Sequence, residues 1–233
     1  MKRKRRHIGQ LVIVVMLAVL GTSCTLERKL GQEFLAKTPE INIELISPGN
    51  LFKYNHKGEK ISGFDSLTAP QQDSALFADN RFIRNIDDSI FLDRYVNSFI
   101  DELRAIGFRV YVDGMVDSLF RIMPQSYVVN MAQVQLDEYI LPFEDSEPIG
   151  DSVFYKTYDL NAVDAAAWIE VNKYNAVKPV KTVLYSSFTA SDGFSGSFIV
   201  DGEMNIRYRY RIDSLEVNDI YDLASFSGRR HAN

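Results

Sequence analysis

The side chains that carry most enzymatic chemistry are scarce in this chain. It has three histidines, His7, His56 and His231, and a single cysteine, Cys24. A zinc site or a nucleophile–histidine relay needs several such groups brought together, and these are too few and too scattered. No phosphate-cradling glycine loop and no dinucleotide fingerprint is present. Gly193-Phe-Ser-Gly196 falls short of the turn that raises a nucleophilic serine, and no histidine is placed to serve it. Carboxylates remain, because glycoside hydrolysis needs only two of them. Asp137 and Glu138 are neighbours on an expected strand, so they point to opposite faces and cannot work as a pair. Glu138 falls on the apolar side, where the favoured reading is a carboxylate paired within the fold rather than a working acid. Glu144, Asp145, Glu147 and Asp151 match no calcium motif and read as a solvated acidic loop. The sequence thus points to no catalytic residue, no metal and no cofactor. A carboxylate-dependent carbohydrate-active enzyme is the alternative.

Two patterns point instead to surface roles. Arg207, Arg209 and Arg211 alternate with Ile206, Tyr208, Tyr210 and Ile212, which sets three positive charges on one face of a strand. Such a stripe suits an acidic partner or a phosphate, although a plain solvent face would look the same. The second pattern is Asp-Ser followed by an aliphatic residue or alanine. It recurs at Ser66, Ser74, Ser89, Ser118, Ser152 and Ser214, more often than composition alone would give. It resembles the O-glycosylation acceptor of exported Bacteroidetes proteins. Asp-Ser is also a natural turn and helix-cap pair, and Ser89 and Ser214 are candidate caps.

The amino terminus concerns export. Lys2, Arg3, Lys4, Arg5 and Arg6 precede the apolar run from Leu11 to Leu20, then Gly21-Thr22-Ser23 and Cys24. This is the layout of a secretory signal. Its apolar run is short of the roughly 20 residues that span a bilayer. Ser23-Cys24 resembles a relaxed bacterial lipobox, which implies cleavage before Cys24 and acylation of that residue. Residues 1–23 then leave, 24–38 form a tether, 39–228 a single α/β domain and 229–233 a tail. Loss of five basic residues moves the net charge from −5 to about −10. Nucleic acid is therefore not an expected partner. The membrane, through acyl groups, and an envelope protein are. Surface-exposed lipoproteins of Bacteroidetes carry an acidic run after the cysteine; Glu27-Arg28-Lys29 does not resemble one. That points to a periplasm-facing place on the outer membrane.

The elements that position these residues follow from periodicity. Ile41, Ile43 and Leu45 alternate as a strand stopped at Ser47-Pro48-Gly49. Residues 55–85 read as a long surface loop with one helical turn. Asp87-Asp88-Ser89 opens a helix whose stripe is Leu92, Val96, Phe99, Leu103 and Ile106, with Gly107 as its stop. A strand follows at 108–112, then a short helix at 115–123. Residues 126–140 are a strand with Val128, Ala132, Val134, Leu136 and Ile140 on one face. Further strands fall at 164–175, 181–190 and 204–212. A last helix from Asn218 buries Ile220, Leu223 and Phe226 and ends near Gly228. Helices beside mostly antiparallel strands give a two-layer α/β (α+β) sandwich with a mixed sheet and two main helices.

Stretches such as Gln133-Val-Gln-Leu-Asp-Glu-Tyr139, Lys181-Thr-Val-Leu-Tyr-Ser-Ser187 and Asp219-Ile-Tyr-Asp-Leu-Ala-Ser225 resemble a family of uncharacterised Bacteroidetes lipoproteins. That resemblance implies compartment and lineage, and no activity. The order of elements also resembles the amino-terminal domain of the translocation protein TolB and auxiliary lipoproteins of ABC transporters. Together these imply a non-enzymatic binding or assembly component of the cell envelope.

Overall fold

The computed structural model describes residues 40–112, 125–174 and 181–233, together with Glu33. The expected signal peptide, Cys24, the tether apart from Glu33, Ser118 and the short helix at 115–123 lie outside them. From Asn42 onward the chain is one unit.

Strand β1 (Asn42–Ile46) arises from the alternation around Ile43 and Leu45, both buried. A second strand, β2 (Leu51–Asn55), follows the Pro48-Gly49 turn; its short polar-interrupted sequence gave no local signal. The stretch expected as a surface loop contains helix α1 (Ala69–Asp79), so that reading is corrected. Local chemistry starts this helix. The Thr68 amide donates to the Gln71 side chain at 2.9 Å, and Pro70 sits in the first turn. It buries none of its residues, so it has no apolar stripe for periodicity to reveal.

Helix α2 (Asp88–Ile106) begins and ends as its sequence indicates. Gly107 closes it with φ 106°, but its cap is Asp87, whose carboxylate accepts the Ser89 and Ile90 amides. Ser89 is a donor to that cap, not the cap itself. The buried stripe is Phe91, Tyr95, Phe99, Ile100 and Leu103. Of the expected stripe only Phe99 and Leu103 are buried, because the helix meets two neighbours and Leu92, Val96 and Ile106 fall on the margin.

After β3 (Arg109–Val112) come the two longest strands, β4 (Ser126–Ile149) and β5 (Ser152–Lys173). They pair antiparallel along their whole length, turning at Gly150. The expected acidic loop after Ile140 is therefore strand. A bulge between Met131 and Gln133 also alters the expected face. Val129 and Met131 are buried before it, Val134 and Leu136 after it, while Ala132 is the extra exposed residue. Strand β6 (Lys181–Ser191) pairs with β5. The sheet order is β3-β1-β4-β5-β6, with β2 also on β4; β1 is parallel to β3 and β4, and β2 to β4. Strands β7 (Gly193–Val200) and β8 (Ile206–Asp213) form a separate two-stranded sheet.

Helix α3 (Val217–Ala232) packs on α2 and on β5 and β6, which completes a two-layer α/β sandwich with a mixed sheet. Between the layers lie Leu45, Val134, Leu136, Ala165, Ala167, Phe91, Tyr95, Ile220 and Ala224, all nearly free of solvent contact. Glu216 precedes this helix, its amide donating to Asp219 at 2.8 Å, so Ser214 is not the cap. Phe226, expected inside, is 40% exposed and meets Phe188 edge-on. Nor does the helix stop at Gly228. A Cβ at that position would lie 2.2 Å from the Tyr95 carbonyl oxygen, so this glycine is where the two helices touch backbone to backbone. One turn on, the Tyr95 hydroxyl and the His231 Nδ1 are 2.7 Å apart. Burial holds His231 below its ordinary pKa.

Gly228→Ala should consequently lower stability, although alanine is the better helix former by about 1 kcal/mol. Separating α2 from α3 is expected to cost about 1–3 kcal/mol net, read as a lower urea midpoint at unchanged m-value. An unchanged or raised midpoint would mean the helices do not meet at this point.

Candidate functional site

Glu138 occupies the position on which a catalytic reading of this chain depends. Strand alternation turns it toward the helical layer, and pairing of β2 with β4 sets it opposite Asn55 at the end of β2. The chain then enters a 3-10 turn, Lys57–Lys60, whose first residue folds back beneath the sheet. Lys57 Nζ lies 2.6 Å from Glu138 Oε1, with the two residues 5% and 0% exposed. The connector from α1 to α2 supplies the other donors. Arg81 N–H reaches Oε1 at 2.9 Å, and Phe82 and Ile83 N–H reach Oε2 at 2.9 and 3.1 Å.

Burial alone would raise the pKa of Glu138. The ammonium and three amides outweigh it and hold the carboxyl below its ordinary range. The network continues. Lys57 Nζ also donates to Asn161 at 3.3 Å, and Asn161 donates through its side chain and its backbone to Asp192, each at 2.8 Å. Asp192, 5% exposed, accepts the Leu215 amide at 2.8 Å just before α3. Both oxygens of Glu138 are thus occupied by donors from two segments of chain, and none of its surface meets solvent. That is the setting of a structural ion pair, and it leaves no lone pair for a substrate.

Asp137 points to the opposite face, as its neighbouring position requires. It accepts from Gln135 and lies 2.7 Å from His56 Nε2. The acidic residues after Ile140 are spread along β4. Glu144 and Glu147 are exposed, while Asp145 accepts the Tyr208 hydroxyl at 2.6 Å. Among the described residues no group of His, Cys, Asp and Glu side chains is arranged to hold a metal ion.

The arginine stripe falls on β8, and its setting is unusual. Beyond residue 139, β4 and β5 leave the other strands and run on as a two-stranded arm. The β7–β8 ribbon packs against one face of it through rings. Phe194 meets Phe143 and Tyr158 at centroid distances of 4.4 and 4.9 Å, and Tyr210 meets Tyr158 at 4.6 Å. Gly196 makes room for this packing, since a Cβ there would lie 2.1 Å from the Tyr208 hydroxyl. Burial, then the bond to Asp145, pushes the Tyr208 pKa up to about 12. The apolar face of β8 is only partly covered, with Tyr210 55% and Ile212 38% exposed. The other face carries Arg207, Arg209 and Arg211 opposite Ile199, Ser197 and Ser195. Arg207 pairs with Asp201 at 3.0 Å and Arg211 with Asp213 at 2.7 Å. Both arginines are exposed, as is Asp213, so these pairs hold them weakly. Arg209 has no ion pair among the described residues.

Of the serines in the Asp-Ser pattern, Ser66, Ser74, Ser89, Ser152 and Ser214 are all exposed. Trp168 lies half-buried on the face of the sheet away from the helices, its ring tilted against Tyr185 at a centroid distance of 4.6 Å. Sequence reasoning missed Lys57, Asn161 and Asp192. Lys57 and Asn161 sit in polar surroundings that read as solvated, and only the partner 81 residues away, Glu138, gives Lys57 its role. The one available signal was a glutamate on an apolar strand face, which demands a cation somewhere.

No protein-family model matches this sequence, and no curated protein matches it. Among solved structures, a similar one is described as a neuraminyllactose-binding hemagglutinin homolog from Helicobacter pylori. It shares 9% identity over 82% of this chain and 79% of that one, with a TM-score of 0.33. A superposition that loose assigns neither fold nor activity.

Lys57→Met would leave the Glu138 carboxylate buried and unpaired, and is expected to cost about 3–5 kcal/mol in urea unfolding at pH 7. Because the folded-state pKa of Glu138 lies below its ordinary 4.5, its contribution is complete above that pH and fades as pH falls through the folded value. Glu138→Gln should therefore flatten the loss of stability in acid. Equal stability of Lys57→Met and wild type would remove this ion pair from the account.

Proposed function

We propose that this chain is a non-enzymatic, lipid-anchored component of the cell envelope that faces the periplasm and binds another envelope protein. The observation that carries the reading is the β7–β8 ribbon. It belongs to neither layer of the sandwich, is fastened on one face, and offers three arginines on the other. An interface for an acidic protein surface needs such a rigid, charged face more than it needs a cleft. Two further observations support it. The buried acid on which the rival catalytic reading rests has its oxygens occupied by structural donors. No helix among the described residues is long and apolar enough to cross a membrane. In this reading the outer membrane holds the protein through acyl groups on Cys24, and the exposed Asp-Ser serines are sites of O-glycosylation.

The ribbon is tested by reversing its charge. Arg207→Glu, Arg209→Glu and Arg211→Glu together should weaken capture of the partner by at least about tenfold in crosslinking from native membranes, since like charges then face each other. The melting curve should hardly move, because all three side chains are exposed. Undiminished capture would place the interface elsewhere.

The covalent modifications are tested by intact mass from the native host. Wild-type protein should start at Cys24 and carry acyl and hexose-containing additions. Cys24→Ala should lose the acyl mass and retain its leader, since both steps run through that thiol. Identical masses for the two proteins, apart from the substitution, would remove the anchor.

A further inference from the structure

Strand β6 ends the sheet, and its outer side is unpaired among the described residues. The direction of its amides follows from the register. The Asp192 amide donates to the Asn161 carbonyl at 2.9 Å, and the β5–β6 ladder carries no shift. Even-numbered residues of β6 therefore aim their backbone groups at β5. Val183, Tyr185, Ser187 and Thr189 aim theirs outward. Natural edge strands block this hazard with proline, a bulge or charge. Here the sequence Thr182-Val-Leu-Tyr-Ser-Ser187 has none of these, and the adjacent Lys181 is tied to Glu170 at 2.5 Å. Val183, Leu184 and Tyr185 are 53%, 51% and 58% exposed, on both faces at once. The carboxyl-terminal half is better covered, where Phe188 meets Phe226 and His231.

We propose that a second copy of this chain pairs antiparallel along β6 about a two-fold axis at Leu184, joining the two sheets into one. Outward amides can bond only to outward amides, so odd residues must face odd residues. Centring on Leu184 meets that rule. Val183 faces the second copy's Tyr185, Tyr185 faces the second copy's Val183, and Lys181 faces the second copy's Ser187. The two Leu184 side chains meet at the axis. In this register the apolar triplet covers its own image. A shift of the axis to Tyr185 would set Val183 against serine. The segment from Thr182 to Ser187 is uncharged, so the strongly acidic chain meets its copy where no like charges oppose. On the face away from the helices, the Trp168–Tyr185 pair gains the second copy's Val183 beside it. This inference is independent of the arginine face, which lies on a different sheet.

Symmetric crosslinking of full-length protein in native membranes tests it. At a non-hydrogen-bonded antiparallel position the Cα atoms are about 4.5 Å apart, within disulfide reach. Leu184→Cys should form a disulfide-linked dimer under mild oxidation. Wild type, with Cys24 alone, and Ser187→Cys, whose counterpart is Lys181, should not rise above background. The double variant Val183→Lys, Tyr185→Lys sets lysine against lysine at exposed positions. It should keep the wild-type melting curve and raise the Kd for self-association at least about tenfold by sedimentation of detergent-solubilised protein. The proposal is overturned by a Leu184→Cys dimer no more abundant than in wild type, by equal crosslinking of Ser187→Cys, by capture of a chain of different mass at position 184, or by unchanged self-association of the double variant.

Discussion

A carboxylate cut off from water must have a donor at each oxygen or give up its charge, and at Glu138 the donors come from far along the chain. The ammonium arrives from the turn after β2, and the three amides from the connector between α1 and α2. The Lys57–Lys60 turn buries only the lysine and α1 buries nothing, while the connector also sets Phe82, Ile83 and Ile86 in the core. The excursion between β2 and α2 is thus held by one buried charge together with these three apolar side chains. Through Lys57, Asn161 and Asp192 the same network reaches the start of α3, so the turn after β2 and the approach to the last helix are linked through β4 and β5. Replacing such a set with apolar residues often leaves stability unchanged, and what the charged version adds is selectivity.

What could be read from sequence followed the strength of the local signal. Helix α2 was legible at both ends because its cap and its stop are side-chain and backbone chemistry within a few residues. Strand β8 was legible because its alternation is unbroken. The stripe of α2 was misplaced by one position, since half-buried residues at the edge of a broad face look identical to buried ones. On β4 a single bulged residue inverted the assignment of Val128 and Val129, and no local feature announces a bulge. Helix α1 failed for the opposite reason, being a helix with polar chemistry and no buried face. At the candidate site, the arginine stripe was visible and the ion pair was only half visible. Glu138 announced itself by standing on an apolar face, while Lys57 in a polar run had nothing to mark it.

The arm and the ribbon illustrate a further reason why local reading stops short. A lone two-stranded hairpin is marginal in water, and the chain contains two: the far end of β4–β5, and β7–β8. Each supplies the other's missing layer through Phe143, Tyr158, Phe194, Tyr208 and Tyr210, with Gly196 permitting the approach. Taken alone, the sequence from Phe143 to Ser152 is acidic and turn-like. Its persistence as strand depends on rings some 50 residues further on, consistent with aromatic pairs adding about 0.5–1.5 kcal/mol beyond their buried area.

The parallel pairing of β1 and β2 with β4 bears on the order in which the molecule is made. Both strands hydrogen-bond to residues 80 or more positions later, Asn42 with Ser126 and Leu51 with Val134. Loop closure of that length must be met before any ladder bond rewards it, which slows folding. As the chain emerges, everything before residue 126 is therefore held without its central strand. Among the described elements before it, α1 and α2 have local bonds and do not need that strand. The long antiparallel pair β4–β5 closes on itself through one tight turn, so it is the natural first sheet. The amino-terminal strands then add to its edge, leaving the end of the chain nearest the expected anchor among the last parts to settle.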